Sequence, residues 1–196
     1  MTHPLILASG SAYRQALLAR LGLPFEVVVA GIDESGRPGE APAELVRRLA
    51  QDKASAVAMQ RPEACIIGSD QLAVCGKRIL GKPGSEARCV EQLLSCSERV
   101  VEFLTAVVLV SPATGAAALH IDATQVHFRR LGRAEVERYV ALERPLDCAG
   151  GFKCEGLGIV LFESIRSQDP TALIGLPMIW LAGALREAGF DPLATP

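Results

Sequence analysis

The sequence predicts an α/β protein built on a mixed sheet, and three observations carry that expectation. Apolar runs of strand length alternate with amphipathic stretches of helical period through the first half of the 196-residue chain. Two long runs rich in β-branched and apolar residues, at 100–110 and 117–129, flank a Thr114-Gly115 turn. Hydrophobic residues make up 49% and charged residues 21%, the balance of a globular chain long enough to bury a sizeable core.

The elements follow in order. Leu5-Ile6-Leu7-Ala8 reads as a buried strand that runs into Ser9-Gly10-Ser11. Residues 12–21 read as a helix with Ala16, Leu17, Leu18 and Leu21 on one face, stopped by Gly22. A strand is expected over 25–29, then a polar loop around Asp33-Glu34, then a long helix over 43–60 with Leu45, Val46, Leu49, Ala50, Ala54 and Val57 on one face. Cys65-Ile66-Ile67-Gly68 reads as a short buried strand ending at Ser69-Asp70-Gln71. A hairpin turns at Gly76-Lys77, and helices are expected over 85–95 and 133–143. A glycine-rich segment, 150–156, precedes a strand over 158–162, and a helix over 177–188 opens on proline.

Several function classes are disfavoured. The formal net charge is −2 and the basic residues are dispersed, so no general field recruits nucleic acid, and an anionic ligand has to be held by a local pocket. The N-terminus lacks a charged region and its apolar run is short, so no signal peptide is expected, and no apolar stretch reaches membrane-spanning length. The six cysteines show no CxxC pair or zinc spacing and read as buried free thiols of a reducing, cytoplasmic compartment. Residues 76–82 fit GxxxxGK, but Pro83 stands where a P-loop needs Ser or Thr, and no GxGxxG occurs. His3, His120 and His127 have no ligand spacing, and Trp180 reads as core.

Four places can carry chemistry. A strand that turns through Ser9-Gly10-Ser11 straight into a helix leaves free N–H groups at the positive end of the helix dipole, and Arg14 on the first turn adds a guanidinium. The same Ser11 also reads as an ordinary N-cap. Asp70, just past a buried strand, suits a general base or a metal ligand, and equally a turn aspartate bonded to its own backbone. Asp33-Glu34 suits a divalent ion with oxygen ligands, Mg²⁺ first, or a solvated loop. Lys53 and Lys82 can cradle phosphate or simply face solvent.

Together, Ser9-Gly10-Ser11 with Arg14, Asp33-Glu34, Lys53, Gly68-Ser69-Asp70-Gln71, Gly81-Lys82-Pro83, the 150–158 glycine segment and Gly175-Leu176-Pro177 stand in the order and spacing of the Maf family of nucleoside triphosphate pyrophosphatases. The chain resembles that family along essentially its whole length. The resemblance implies one Maf/ITPase-like α/β domain over 1–196, with a long twisted mixed sheet flanked by helices and two lobes around a central cleft. It implies hydrolysis of a nucleoside triphosphate between the α- and β-phosphates, a divalent cation (Mg²⁺ or Mn²⁺) and often a homodimer. Asp70 matches the catalytic base; Glu34, Lys53 and Lys82 match the other catalytic or phosphate-handling positions; Ser9, Ser11 and Arg14 match the phosphate-binding motif. Glu34 and Asp70 are the implied metal ligands.

Tyr13, Gln71 and Glu155 resemble the branch that hydrolyses 7-methyl-GTP in the housecleaning of modified nucleotides. Members acting on dTTP and UTP carry a basic residue, Thr and Gln there. N7-methylation gives guanine a positive charge that an aromatic face attracts, and a carboxylate accepts from guanine N1–H and N2–H. The alternatives are the same reaction on dTTP or UTP, and a nucleotide-binding regulator of septum formation. The family's first motif usually has proline where this chain has Ala12, a change expected to cost pre-organisation rather than chemistry.

Overall fold

The computed structural model describes residues 3–112 and 117–194, so the expected Thr114-Gly115 turn lies outside the described residues. In chain order the elements are β1 (Leu5–Leu7), α1 (Ala12–Ala19), β2 (Glu26–Val27), α2 (Pro42–Ala58), β3 (Cys65–Cys75), β4 (Arg78–Leu80) and α3 (Glu86–Leu94). They continue with β5 (Val100–Val110), β6 (Ala117–Phe128), α4 (Arg133–Glu143), β7 (Phe162–Arg166) and α5 (Met178–Glu187). Among the described residues, seven strands form one sheet in the order β2-β1-β3-β5-β6-β7, with β4 paired to β3. The sheet is mixed, as expected. β1 runs parallel to β2 and β3, whereas the β3/β4 and β6/β7 pairs are antiparallel.

The chain divides into two compact units. One comprises the residues up to Asp70, Thr105–Asp122 and those from Asp169 onward; the other comprises Gln71–Leu104 and Ala123–Gln168. In the first, α1 and α5 lay Leu17, Leu18, Leu181 and Leu185 against Leu5, Leu7 and Ile67 of β1 and β3, all of them buried. Each such side chain contributes about 1.5–3 kcal/mol of burial. In the second, Phe103, Phe128, Phe152 and Phe162 meet edge to face at centroid distances of 4.8–5.6 Å.

The strand expected over 25–29 is only Glu26–Val27, the two residues opposite Ile6 and Leu7 of β1. Two further strand boundaries differ from the sequence expectation. β3 does not end at Ser69-Asp70-Gln71 but runs unbroken to Cys75. The polar residues that look like a strand end are satisfied in the interior, Ser69 by the Gly175 carbonyl and Asp70 by Lys53, so nothing forces the chain out of the sheet. The hairpin then turns at Gly76-Lys77 as expected, with Gly76 at φ +60 and Ala73 opposite Leu80. The second difference is at 158–162, where Leu157–Leu161 forms a 3₁₀ turn and β7 starts only at Phe162. Gly158 packs on the Lys153 carbonyl so closely that a Cβ would stand 2.3 Å away, which folds this apolar stretch back on its own loop.

Candidate functional site

The β1–α1 turn is built as an anion cradle. Ser11 caps α1 in an extended conformation, its Oγ accepting from Arg14 N at 3.4 Å, and no acidic residue occupies the first turn. Ser9 Oγ accepts from Ser11 N at 3.3 Å and from Arg14 Nη1 at 3.2 Å. Arg14 Nε donates to the Gly175 carbonyl at 3.0 Å, and Ser69 Oγ donates to the same oxygen at 3.2 Å. The guanidinium is buried, which pulls its pKa below the ordinary value, while the fields of Asp70 and then Glu34 push it back up. Tyr13 sits beside it on α1, half-buried. Ala12 takes the N1 position without disturbing the cap.

Lys53 is the hub of the same unit. It stands on the apolar stripe of α2, between Leu49 and Ala50 on one side and Val57 on the other. Its Nζ lies 2.6 Å from Asp70 Oδ1 and 2.7 Å from Glu34 Oε1. Asp70 is buried within β3 rather than past its end, so the turn-aspartate alternative is excluded. Gly68 brings the two together: a Cβ there would stand 2.3 Å from the Ala50 carbonyl and 2.7 Å from Ala54 Cβ, so only glycine lets β3 approach α2 this closely.

Glu34 is half exposed, on a loop that Arg48 fastens from α2. Arg48 Nη2 donates to the Ser35 carbonyl at 2.9 Å, and Arg48 Nε pairs with Glu40 at 2.7 Å. That pairing holds the Glu40 carboxyl down at about 2. The two adjacent loop acids have separate roles: Asp33 Oδ1 accepts from Ser35 N at 2.9 Å and makes the turn, its pKa lowered by the Ser35 hydroxyl first and that N–H second, while Glu34 reaches Lys53.

In the other unit Gln71 follows Asp70 along β3. Lys82 is exposed and forms no ion pair among the described residues. Glu155 lies on the glycine loop, with Cys154 Sγ at 3.5 Å from its Oε2. α4 clamps that loop: Glu143 Oε2 accepts from Leu157 N at 2.8 Å, the Glu143 carbonyl accepts from Lys153 Nζ at 3.1 Å, and Tyr139 Oη accepts from Lys153 N at 3.1 Å.

Among the described residues no cluster of three or more His, Cys, Asp or Glu could hold an ion alone. Glu34 and Asp70 do converge on a single cation, the Lys53 ammonium. One or two carboxylates completed by phosphate oxygens and water are the donor set that Mg²⁺ or Mn²⁺ takes.

A family model described as Maf-like protein matches residues 4–188. The chain belongs to the Maf family. A 7-methyl-GTP pyrophosphatase of Alkalilimnicola ehrlichii is 54% identical to it, over 95% of this chain and 94% of that protein. A 7-methyl-GTP pyrophosphatase of Xanthomonas oryzae is 56% identical over 97% of this chain and 98% of its own length. Among solved structures, a HAM1 protein from Coxiella burnetii shares the fold, with a TM-score of 0.52 at 14% identity, covering 95% of this chain and 100% of that one.

Sequence reasoning about this Maf protein assigned no role to Ser69, Gly175, Asp169, Thr171, Arg48 or Glu40. Ser69 and Gly175 stand in the Gly68–Gln71 and Gly175–Pro177 motifs, which is the signal the sequence held for them; Asp169, Thr171, Arg48 and Glu40 lie outside the motifs that carry the resemblance.

Proposed function

We propose that this Maf protein hydrolyses 7-methyl-GTP to 7-methyl-GMP and pyrophosphate. The identity of 54–56% to 7-methyl-GTP pyrophosphatases over nearly the whole chain supports this reading. The observation that carries the chemistry is the buried Lys53 ammonium gripping Asp70 and Glu34, in the same unit as the Ser9-Ser11-Arg14 cradle. That is a positioned carboxylate beside an anion site, which is what water attack on a phosphoanhydride needs.

In this reading the N-terminus of α1, the two serine hydroxyls and Arg14 bind phosphate oxygens, and Lys82 adds charge from its loop. Lys53 fixes the orientation of Asp70, which orients and deprotonates the attacking water. Water adds to the phosphorus at the α–β anhydride, pyrophosphate leaves, and no covalent enzyme intermediate forms. A Mg²⁺ or Mn²⁺ ion held by Glu34 and Asp70 would supply neutralisation of phosphate charge. Tyr13, Gln71 and Glu155 select the base. Tyr13 attracts the cationic 7-methylguanine ring, and Glu155 accepts its N–H donors.

No helix among the described residues is long and apolar enough to cross a membrane. The free thiols favour a cytoplasmic setting and the family resemblance favours a homodimer, which sedimentation of the purified protein tests.

The test of function is pyrophosphate release from 7-methyl-GTP, GTP, dTTP, UTP and CTP with Mg²⁺ or Mn²⁺, beside Asp70→Asn. The expected result is preference for 7-methyl-GTP and an inactive variant. Preference for dTTP or UTP would refute the assigned roles of Tyr13 and Glu155, and an active Asp70→Asn would remove the base.

A further inference from the structure

We propose that Asp169 and Thr171 are positioning residues for Arg14, acting through the carbonyl of Gly175. The proposal rests on the reading of Arg14 as a phosphate-binding group. Asp169-Pro170-Thr171 precedes a short 3₁₀ turn, Ala172–Ile174, and then α5. Pro177 stands at the N-cap position of α5 and makes no side-chain cap, so the first N–H groups of that helix need acceptors from elsewhere. Asp169 Oδ2 accepts from Ile179 N at 2.6 Å, and Thr171 Oγ1 accepts from Met178 N at 3.0 Å.

The two side chains also bind each other. Asp169 Oδ1 accepts from Thr171 N at 2.9 Å and lies 2.5 Å from Thr171 Oγ1, which is also 2.8 Å from the Leu176 carbonyl. The hydroxyl has one proton to donate, and the carboxyl oxygen is the nearer and stronger acceptor. The chain from Asp169 to Ile179 is thus closed into a buried ring of hydrogen bonds, with Asp169 only 4% exposed.

Gly175 lies inside that ring. Its φ of +139 is one that L residues rarely adopt, and a Cβ there would meet Arg14 Cγ at 3.3 Å. Its N–H is held by the Ala172 carbonyl at 3.0 Å, and the Thr105 hydroxyl donates to that same carbonyl at 3.0 Å. The peptide before Gly175 is thus held at Ala172, and the residue after it, Leu176, has its carbonyl 2.8 Å from Thr171 Oγ1, so the intervening peptide that bears the Gly175 carbonyl is held at both ends. That carbonyl takes Arg14 Nε while Ser9 Oγ takes Nη1, which sets the plane of the guanidinium and leaves its other N–H donors to the anion. The hydrogen bonds described above for Asp169 and Thr171 run to each other and to the start of α5. They determine where Arg14 points.

A purely structural role for the ring affects stability alone, whereas a positioning role couples it to Arg14. The experiment uses Thr171→Val, which deletes the hydroxyl at constant shape, Thr171→Ser, which keeps it, Arg14→Ala, and the Thr171→Val/Arg14→Ala double variant. Pyrophosphate release from 7-methyl-GTP, calorimetric affinity for inorganic pyrophosphate and urea unfolding are measured on each. Thr171→Val is expected to lower kcat/KM and pyrophosphate affinity by about tenfold, Thr171→Ser by no more than about threefold, and Thr171→Val on the Arg14→Ala background by less than about twofold. Full multiplicative losses in the double variant, or lost stability with unchanged kcat/KM, overturn the proposal. A wild-type chain that releases no pyrophosphate refutes the function instead, and the affinity cycle still decides the role of the ring.

Discussion

Lys53 Nζ stands 2.6 Å from Asp70 Oδ1, and both groups are buried, the lysine on a helix and the aspartate on a strand that only a glycine allows so near. The same ammonium holds Glu34 at 2.7 Å. Lys53 is the cation in direct contact with both acids, so its removal makes a large change in charge balance. Lys53→Met is expected to destabilise the protein by about 3 kcal/mol, because a buried carboxylate loses its counter-charge. Urea unfolding of the variant checks this; a midpoint equal to wild type would contradict it.

Gly68→Ala tests the close approach without touching a charged group. The added methyl has no room at 2.3 Å from the Ala50 carbonyl, so β3 and α2 must separate. The expected cost is about 3 kcal/mol, at the upper end for overpacking. Pyrophosphate release is expected to fall further than the lost stability explains, since the Lys53–Asp70 contact opens. Normal turnover in a folded Gly68→Ala protein would show that the contact is dispensable.

Acid stability reports on the loop that carries Glu34. The Glu40 carboxyl is held down from 4.5 to about 2 by Arg48. A depressed carboxylate adds stability above its unfolded value, and that stability is lost as pH falls toward its folded value. Wild type is therefore expected to lose stability between pH 4.5 and about 2 more steeply than Glu40→Gln. Parallel denaturant titrations across that window decide it, and identical slopes would sink the assignment.

The proposed role of Glu155 in base selection makes specificity depend on how α4 holds the glycine loop. Glu143→Ala removes the acceptor of Leu157 N and a partner of Lys153, and so frees the segment bearing Glu155. The ratio of kcat/KM for 7-methyl-GTP over CTP is expected to drop by about tenfold, the worth of about one well-formed hydrogen bond to a charged group, since guanine presents N1–H and N2–H donors that cytosine lacks. An unchanged ratio would remove Glu143 from the account.

Thiol reactivity is expected to be low in the native state. Burial pushes Cys65 and Cys89 up to about 11 and, with weaker neighbouring effects, Cys96 and Cys154 up to about 12, so these four carry almost no thiolate near neutral pH. Labelling of the native protein at pH 8 should begin at the partly exposed Cys148, with the partly exposed but higher-pKa Cys154 slower and the buried Cys65, Cys89 and Cys96 following only on denaturation. Fast native labelling of Cys65 or Cys96 would contradict this burial.

What was legible in the sequence had local causes. The α4 boundaries fall at 133 and 143 as expected, because helical period and composition operate within a dozen residues. The Ser11 cap and the Gly76-Lys77 turn were equally local. The continuation of β3 was not, since Ser69 and Arg14 share an acceptor that lies 106 and 161 residues further along the chain. Likewise 158–162 looks like a strand, and only the Lys153 carbonyl behind Gly158 makes it a turn. Local sequence named Arg14, Glu34, Lys53 and Asp70 individually. Their mutual contacts belong to tertiary packing.

The Gly175 carbonyl is an anchor made of main chain, and that determines how it can fail. No substitution deletes it, since every residue brings the same oxygen. Inactivating changes at this point must therefore act by bending the peptide: a side chain at 175 itself, or a lost hydroxyl or carboxyl at 171 or 169. In a scan of all substitutions, sensitivity is expected to gather around the anchor rather than on it, among residues that never meet the nucleotide. A protein drifting through neutral changes would then keep its anion-binding oxygen atoms and nitrogen atoms intact while losing their aim.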